Sequence, residues 1–192
     1  MTSEEEPVAA LIARFRALAY PSRIAIMDAL HAANGVVTED ELGRWVPEAR
    51  RNLRTHLAAL EKAGIIQRVA ASDSWELQRT APVEWTDDMV RGSSRLQRAV
   101  QEFERLLTQR RIDRMRQWAQ ERHHSWPSEW SDASTSTDYV LRMTVQEMED
   151  LDARISAEIR RARDQARSRE AAAEEETVFV TVSAFPLRLE SS

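Results

Sequence analysis

Residues 49–66 read Ala49-Arg-Arg-Asn-Leu-Arg-Thr-His-Leu-Ala-Ala-Leu-Glu-Lys-Ala-Gly-Ile-Ile66. Leu53, Leu57 and Leu60 recur at spacings of four and three, so on a helix they form one apolar stripe. Arg50, Arg51, Asn52, Arg54 and Thr55 crowd the first turns and point largely away from that stripe. Gly64 is expected to end the helix, because glycine tolerates the left-handed backbone at helix ends. Ile65 and Ile66 begin an extended run. A helix packed through its middle, with basic and amide side chains at its exposed start, suits a reader of the DNA major groove.

Working outward, Pro47 is expected to open this helix, over about 47–63. Thr38-Glu-Asp-Glu41 is a capping box, in which the hydroxyl and a carboxylate three residues on satisfy two orphan amides. The helix it starts is short, about 38–45, with Leu42 and Trp45 expected inward. Two helices so tightly linked predict a helix-turn-helix. Residues 65–70 and 74–79 alternate partly around Ala-Ser-Asp and predict a β-hairpin, which makes the module a winged one. Upstream, Val8, Leu11, Ile12, Phe15 and Leu18 share a face of a helix over 7–19 that Pro7 opens. A second helix opens at Pro21, carries Ile24, Met27, Leu30 and Ala33, and ends at Asn34-Gly35. Val36-Val37 is a short candidate strand.

Downstream, residues 80–86 read as a link. Residues 87–122 are continuously compatible with helix, striped by Leu96, Val100, Phe103 and Leu107 and continued by Met115 and Trp118. Such a helix reaches on the order of 50 Å and needs a partner helix to cover it. Residues 123–138 are expected to form a loop and Tyr139 to Met143 a strand. Thr144 and Glu147 form another capping box, opening a helix to about Arg169 striped by Met148, Leu151, Ile155, Ile159 and Ala162. Residues 177–185, Thr-Val-Phe-Val-Thr-Val-Ser-Ala-Phe, are the clearest strand pattern in the chain. The expected fold is therefore mainly α with small β. A winged helix-turn-helix domain (7–82) precedes a helical dimerisation and possible effector region (87–192), made of the long helix 87–122, the loop 123–138 and a strand-helix-strand unit over 139–185. The two strands are free to pair within one chain or between two.

Composition sets the limits. The 192 residues are 42% hydrophobic and 31% charged, and no apolar run approaches the roughly 20 residues that span a bilayer. The acidic start, Met-Thr-Ser-Glu-Glu-Glu, lacks a signal-peptide layout, so a cytoplasmic protein is expected. Cysteine is absent, which excludes disulfides, thiolate metal sites and cysteine nucleophiles. Net charge is -5, but its distribution matters more than its sum. The window 44–68 holds 6 basic and 2 acidic residues, whereas 126–192 holds 8 and 14. The acid lies in the C-terminal third, and the candidate reading helix is locally positive.

Two segments at a fixed separation carry a family resemblance: Ala17-Leu-Ala-Tyr-Pro-Ser-Arg-Ile-Ala-Ile-Met27 and Leu53-Arg-Thr-His-Leu-Ala-Ala-Leu-Glu-Lys-Ala-Gly-Ile-Ile66. Over about residues 15–80 the chain resembles the ArsR-type winged helix-turn-helix regulators of bacteria. The resemblance implies a homodimeric, sequence-specific binder of double-stranded DNA, usually a repressor, on the nucleoid when bound. It implies a DNA-facing set of Arg50, Arg51, Asn52, Arg54 and Thr55, to which Thr38, His56 and Arg68 are added. Three departures stand out. Tyr20 occupies the usual aspartate position, the wing tip Ala71-Ser-Asp-Ser74 lacks basic residues, and the metal-sensing cysteines are missing from the helix at 38–45.

Trp118, Trp126, Trp130 and Tyr139 cluster around the 123–138 loop, either as cover for a junction or as an aromatic pocket for a small-molecule effector. His123 and His124, with Glu121 and Asp132 near, do not make a metal-ligand spacing, so no metal or other cofactor is expected. No glycine-rich phosphate loop, nucleophile motif or paired-acid signature is present, and no catalytic residue is assigned. The alternatives to a DNA-binding regulator are a winged-helix protein-interaction module and a small-molecule-binding regulator without strong DNA binding.

Overall fold

The structure is a computed structural model that describes residues 5–33, 35–70, 72–78, 87–169 and 175–188. It is mainly helical, with one small three-stranded antiparallel sheet. Residues 1–113 form one compact unit and 114–192 another.

In the first unit, helix α1 (Glu5–Leu18) is followed by α2 (Pro21–Ala33). Helix α1 begins two residues before Pro7. Proline is tolerated there because first-turn N–H groups have no intrahelical acceptor to lose. Strand β1 (Val37–Thr38) leads into α3 (Glu39–Trp45), and both halves of the predicted capping box are made. Thr38 Oγ1 accepts from Glu41 N at 3.2 Å, and Thr38 N donates to Glu41 Oε2 at 2.9 Å. Leu42 is fully buried, but Trp45 is 52% exposed, contrary to its predicted inward place. The helix ends at Val46 in a non-helical conformation (φ -126°, ψ 69°), and Val46, 2% exposed, takes the inward position instead.

The predicted continuous helix over 47–63 is two pieces. Pro47–Asn52 is a 3-10 turn and Leu53–Lys62 is helix α4. The joint is Asn52, whose backbone (φ -123°, ψ 22°) is not helical. Ala49, Leu53, Leu57 and Leu60 all face inward. Helix α4 ends as predicted: Gly64 has φ +64°, Gly64 N donates to Glu61 O at 2.8 Å and Ile65 N to Leu60 O at 3.0 Å. The predicted hairpin forms from β2 (Ile66–Arg68) and β3 (Ser74–Leu77), and β1 adds to β3 on its other edge, giving the order β1-β3-β2. Val37 and Arg68 flank Trp75, which is buried at the sheet centre.

Two apolar clusters hold this unit. One packs Ile26 and Leu30 of α2 against Leu42, Ala49, Leu53, Leu57, Leu60, Ile66 and Trp75. The other packs Leu11 and Phe15 of α1 against Leu96, Ala99 and Val100. These last three lie on α6 (Ser94–Glu121), which follows the short α5 (Asp87–Gly92). The predicted helix 87–122 is thus broken at Ser93. Gly92 has poor helix propensity, and Ser93 Oγ accepts from Leu96 N at 3.3 Å, which caps a new helix. The partner helix that this stretch needs is α1, over its N-terminal turns. The predicted link at 80–86 lies outside the described residues.

In the second unit, the predicted loop 123–138 contains a short helix, α7 (Ser128–Ala133), opened by Pro127. Helix α8 (Val145–Ser168) starts at the predicted capping box, with Thr144 N donating to Glu147 Oε2 at 2.7 Å. Neither predicted strand of the strand-helix-strand unit belongs to a sheet. Residues 139–143 and 177–185 run outside any helix or ladder, with Tyr139, Val140, Val178, Val180 and Phe185 exposed. β-propensity favours extended backbone, but a strand exists only when a neighbour supplies the ladder.

Candidate nucleic-acid interface

Buried leucines on one side of α4 force the polar side chains of the preceding turn and of α4 itself outward. Arg50, Arg51, Asn52, Arg54 and Thr55 are all exposed. The first three stand on the 3-10 turn and the last two on the first turn of α4. Gly43 lets α3 run close to this segment. A Cβ placed there would lie 3.9 Å from both the Arg50 Cγ and a Leu53 methyl, so the glycine is convenient but not obligatory.

Glu39, the first residue of α3, is the node of the exposed charges. Its backbone N–H donates to Asp73 O in the hairpin turn at 2.9 Å. Its side chain accepts from Arg54 Nε at 3.0 Å through Oε2, and from Arg68 Nη2 at 3.4 Å through Oε1. Arg68 also donates to Asp73 at 3.4 Å and lies over the Trp75 ring, 4.8 Å from its centroid. Two of the four candidate arginines, Arg54 and Arg68, are therefore held by carboxylates. Arg50 and Arg51 make no ion pair among the described residues, so the uncompensated positive charge of this face is concentrated on the 3-10 turn.

The remaining candidates have structural partners. The Thr38 hydroxyl is engaged in the capping box, donating to Glu41 Oε2 at 2.8 Å. That geometry lowers the Glu41 pKa, first through the Thr38 backbone N–H and then through its hydroxyl. His56 is half-buried and its Nδ1 accepts from Arg23 Nε at 3.4 Å. Burial, and then the Arg23 charge, hold the His56 pKa below its ordinary value, which favours the neutral ring that accepts from Arg23. Arg23 itself donates to Ala17 O at 2.9 Å and lies 4.1 Å from the centroid of the Tyr20 ring. Tyr20 thus has a packing role at the α1–α2 corner in place of a side-chain cap.

Sequence reasoning missed Glu39 and Arg23. Glu39 is recorded in the sequence only as an acidic first-turn residue. Arg23 belongs to the motif quoted for the resemblance, but its acceptor on α4 is 33 residues away.

The aromatic set is only partly assembled. Trp118 and Trp126 meet with ring centroids 6.0 Å apart and planes tilted by 58°. Trp130 is half-buried, and Tyr139 is 79% exposed. Among the described residues no three histidine or carboxylate side chains converge as a metal site, and His123 Nε2 accepts from its neighbour Arg122 at 3.0 Å. No helix is long and apolar enough to cross a membrane.

Compared with protein-family models, curated proteins and solved structures, the chain finds no match.

Proposed function

We propose that this chain is a homodimeric, sequence-specific DNA-binding transcriptional regulator. In this reading α3, the 3-10 turn, α4 and the β2–β3 hairpin form a winged helix-turn-helix, and residues 50–55 enter the major groove. Repression is the mode that the ArsR-type resemblance implies, and the bacterial cytoplasm is its place of action. The observation that carries the reading is one segment with two faces: Leu53, Leu57 and Leu60 buried, and Arg50, Arg51, Asn52, Arg54 and Thr55 exposed. Arginine pairs bidentately with guanine and asparagine with adenine, so this face has the donors and acceptors of a base reader. A small-molecule effector and the aromatic set remain a lesser part of the proposal, and no catalytic role is assigned.

The test is in-vitro selection of DNA sites by the full chain, followed by titration at low and moderate salt. Enrichment of a pseudo-palindrome with half-sites near one helical turn, about 34 Å, is the expected result. Affinity should fall with salt at a slope of roughly -0.9 per phosphate neutralised. No sequence enrichment at either salt would sink the reading. One observation favours a second reading, a winged module for protein contact: Glu39 occupies Arg54 and Arg68, which lowers the positive potential of the face. Absence of binding to any duplex would move the assignment there.

A further inference from the structure

Helix α8 carries an apolar stripe that its own chain covers only in part. Its large apolar side chains after Val145, namely Met148, Leu151, Ile155 and Ile159, lie with Ala162 within a roughly 80° arc at 3.6 residues per turn. None of its described side chains is fully buried; Met148, Leu151 and Ile155 are half-buried, while Ile159 and Ala162 are exposed. A helix in water draws most of its stability from packing such a face. The spacing of the stripe reads the same in both directions from Ile155. A two-fold axis at Ile155 therefore sets Leu151 against Ile159 and Met148 against Ala162 of a second copy.

The charges carry the same symmetry with opposite sign. Residues 145–158 hold Glu147, Glu149, Asp150, Asp152 and Glu158 against the single base Arg154. Residues 159–169 hold Arg160, Arg161, Arg163, Arg167 and Arg169 against the single acid Asp164. A parallel copy would set acid on acid. An antiparallel copy sets Glu149 and Asp152 beside the other helix's Arg160 and Arg163, and Arg154 beside its Glu158; Arg154, one residue from the axis, is the like charge that this arrangement brings nearest its own copy.

We infer that α8 is a self-association element, which pairs antiparallel with α8 of a second copy of this chain about a two-fold axis at Ile155. This gives the dimer of the proposed function a surface, and it rests on that dimer but not on DNA binding, so the test is read without DNA. The occupant is a second copy because both the stripe and the charges are complementary to themselves. The exposed ion pairs across the seam should make association weaken with salt.

The chain has no cysteine, so single introduced thiols report unambiguously. In the full chain under mild oxidation, Ile155→Cys should form a covalent dimer by itself. Met148→Cys and Ala162→Cys should each fail alone, since like positions lie ~21 Å apart at 1.5 Å per residue, and should cross-link when mixed. Self-linking of all three would mean a parallel pair and overturn the proposal. A second arm is independent of thiol geometry. Glu149→Arg with Asp152→Arg, and Arg160→Glu with Arg163→Glu, should each raise the dimer dissociation constant at least about tenfold by sedimentation, ~1.4 kcal/mol, and the mixture should restore it. A monomeric wild type, or reversed variants that dimerise as the wild type does, would reject α8 as the interface.

Discussion

Arg54 and Glu39 meet at 3.0 Å, the arginine 87% exposed at its side chain and the carboxylate 12%. The pair joins the first turn of α4 to the first residue of α3, and the same carboxylate reaches Arg68 on β2. A carboxylate so placed opposes phosphate twice, by its own charge and by occupying two guanidinium groups. Glu39→Gln should therefore tighten DNA binding and steepen its salt dependence, by up to about 0.9 in slope for each phosphate gained. Thermal stability should change little, because both guanidinium partners stay in water, Arg54 at 87% and Arg68 at 47% exposure, and the glutamine keeps an amide oxygen to accept from them. Titrations of both proteins at two salt concentrations decide the matter. An affinity that falls on substitution would make Glu39 an aligner of Arg54 and not a brake.

Arg51 and Leu57 separate binding from folding within six residues. Arg51 is exposed and makes no ion pair among the described residues, whereas Leu57 is fully buried in the larger core. Arg51→Ala should leave the melting temperature within experimental error and weaken binding to the selected site by about 1–3 kcal/mol, roughly five- to 150-fold. Leu57→Ala should cost ~2–5 kcal/mol of stability through lost burial and a residual cavity. A mobility-shift titration and a thermal melt of each variant give all four values. Unchanged affinity for Arg51→Ala would remove that residue from the reading face.

Much of this was legible because the signals are local. The leucine spacing of α4, Gly64 after it, and the two capping boxes at Thr38 and Thr144 each lie within a few residues of their effect. The alternation flanking residue 71 similarly marked the hairpin. What escaped depends on distant or missing partners. Glu39 is 15 residues from Arg54 and Asp28 is 82 from Arg110, separations at which periodicity says nothing. Pro47 can open either an α-helix or a 3-10 turn, and the backbone at Asn52 decides between them. Six residues at α7 are too few to show a helical period. Residues 139–143 and 177–185 have the composition of strands, but pairing requires a neighbour that composition cannot name.

His56 makes stability depend on pH in a defined window. Its pKa is lowered by burial and then by Arg23, so the unfolded chain takes up a proton before the folded one does. The neutral ring's contribution is full above the ordinary value of 6.5 and is lost as pH falls from there through the folded value. Protonation at Nδ1 would also remove the acceptor for Arg23. His56→Gln keeps an acceptor and does not titrate, so its melting temperature should fall less than that of the wild type between about pH 7 and pH 5. Losses from Glu41 and Glu147 belong to a lower range, because both carboxyl groups sit below an ordinary value of 4.5. Parallel curves for the two proteins would rule out His56 as the source.

Asp28 and Arg110 fasten α6 to α2. Arg110 Nε donates to Asp28 Oδ2 at 2.7 Å, and Nη2 donates to the other carboxylate oxygen in a two-pronged contact. Both side chains are largely covered, at 24% and 29% exposure, so this pair is less screened than the other ion pairs of the first unit. The apolar packing of α6 on α1 involves Leu96, Ala99, Val100 and Phe103, whose ring centroid lies 5.5 Å from that of Phe15, and it ends about two turns before Arg110. The ion pair thus holds the part of α6 just before residue 113, which that packing does not reach. Asp28→Asn keeps the shape and one acceptor but removes the charge, and should cost about 1.5–3 kcal/mol, as for hydrogen bonds to charged groups. Amide hydrogen exchange should rise at residues 104–113 and stay unchanged at 96–100. Equal acceleration along the whole of α6 would instead place its anchorage in the α1 contact alone.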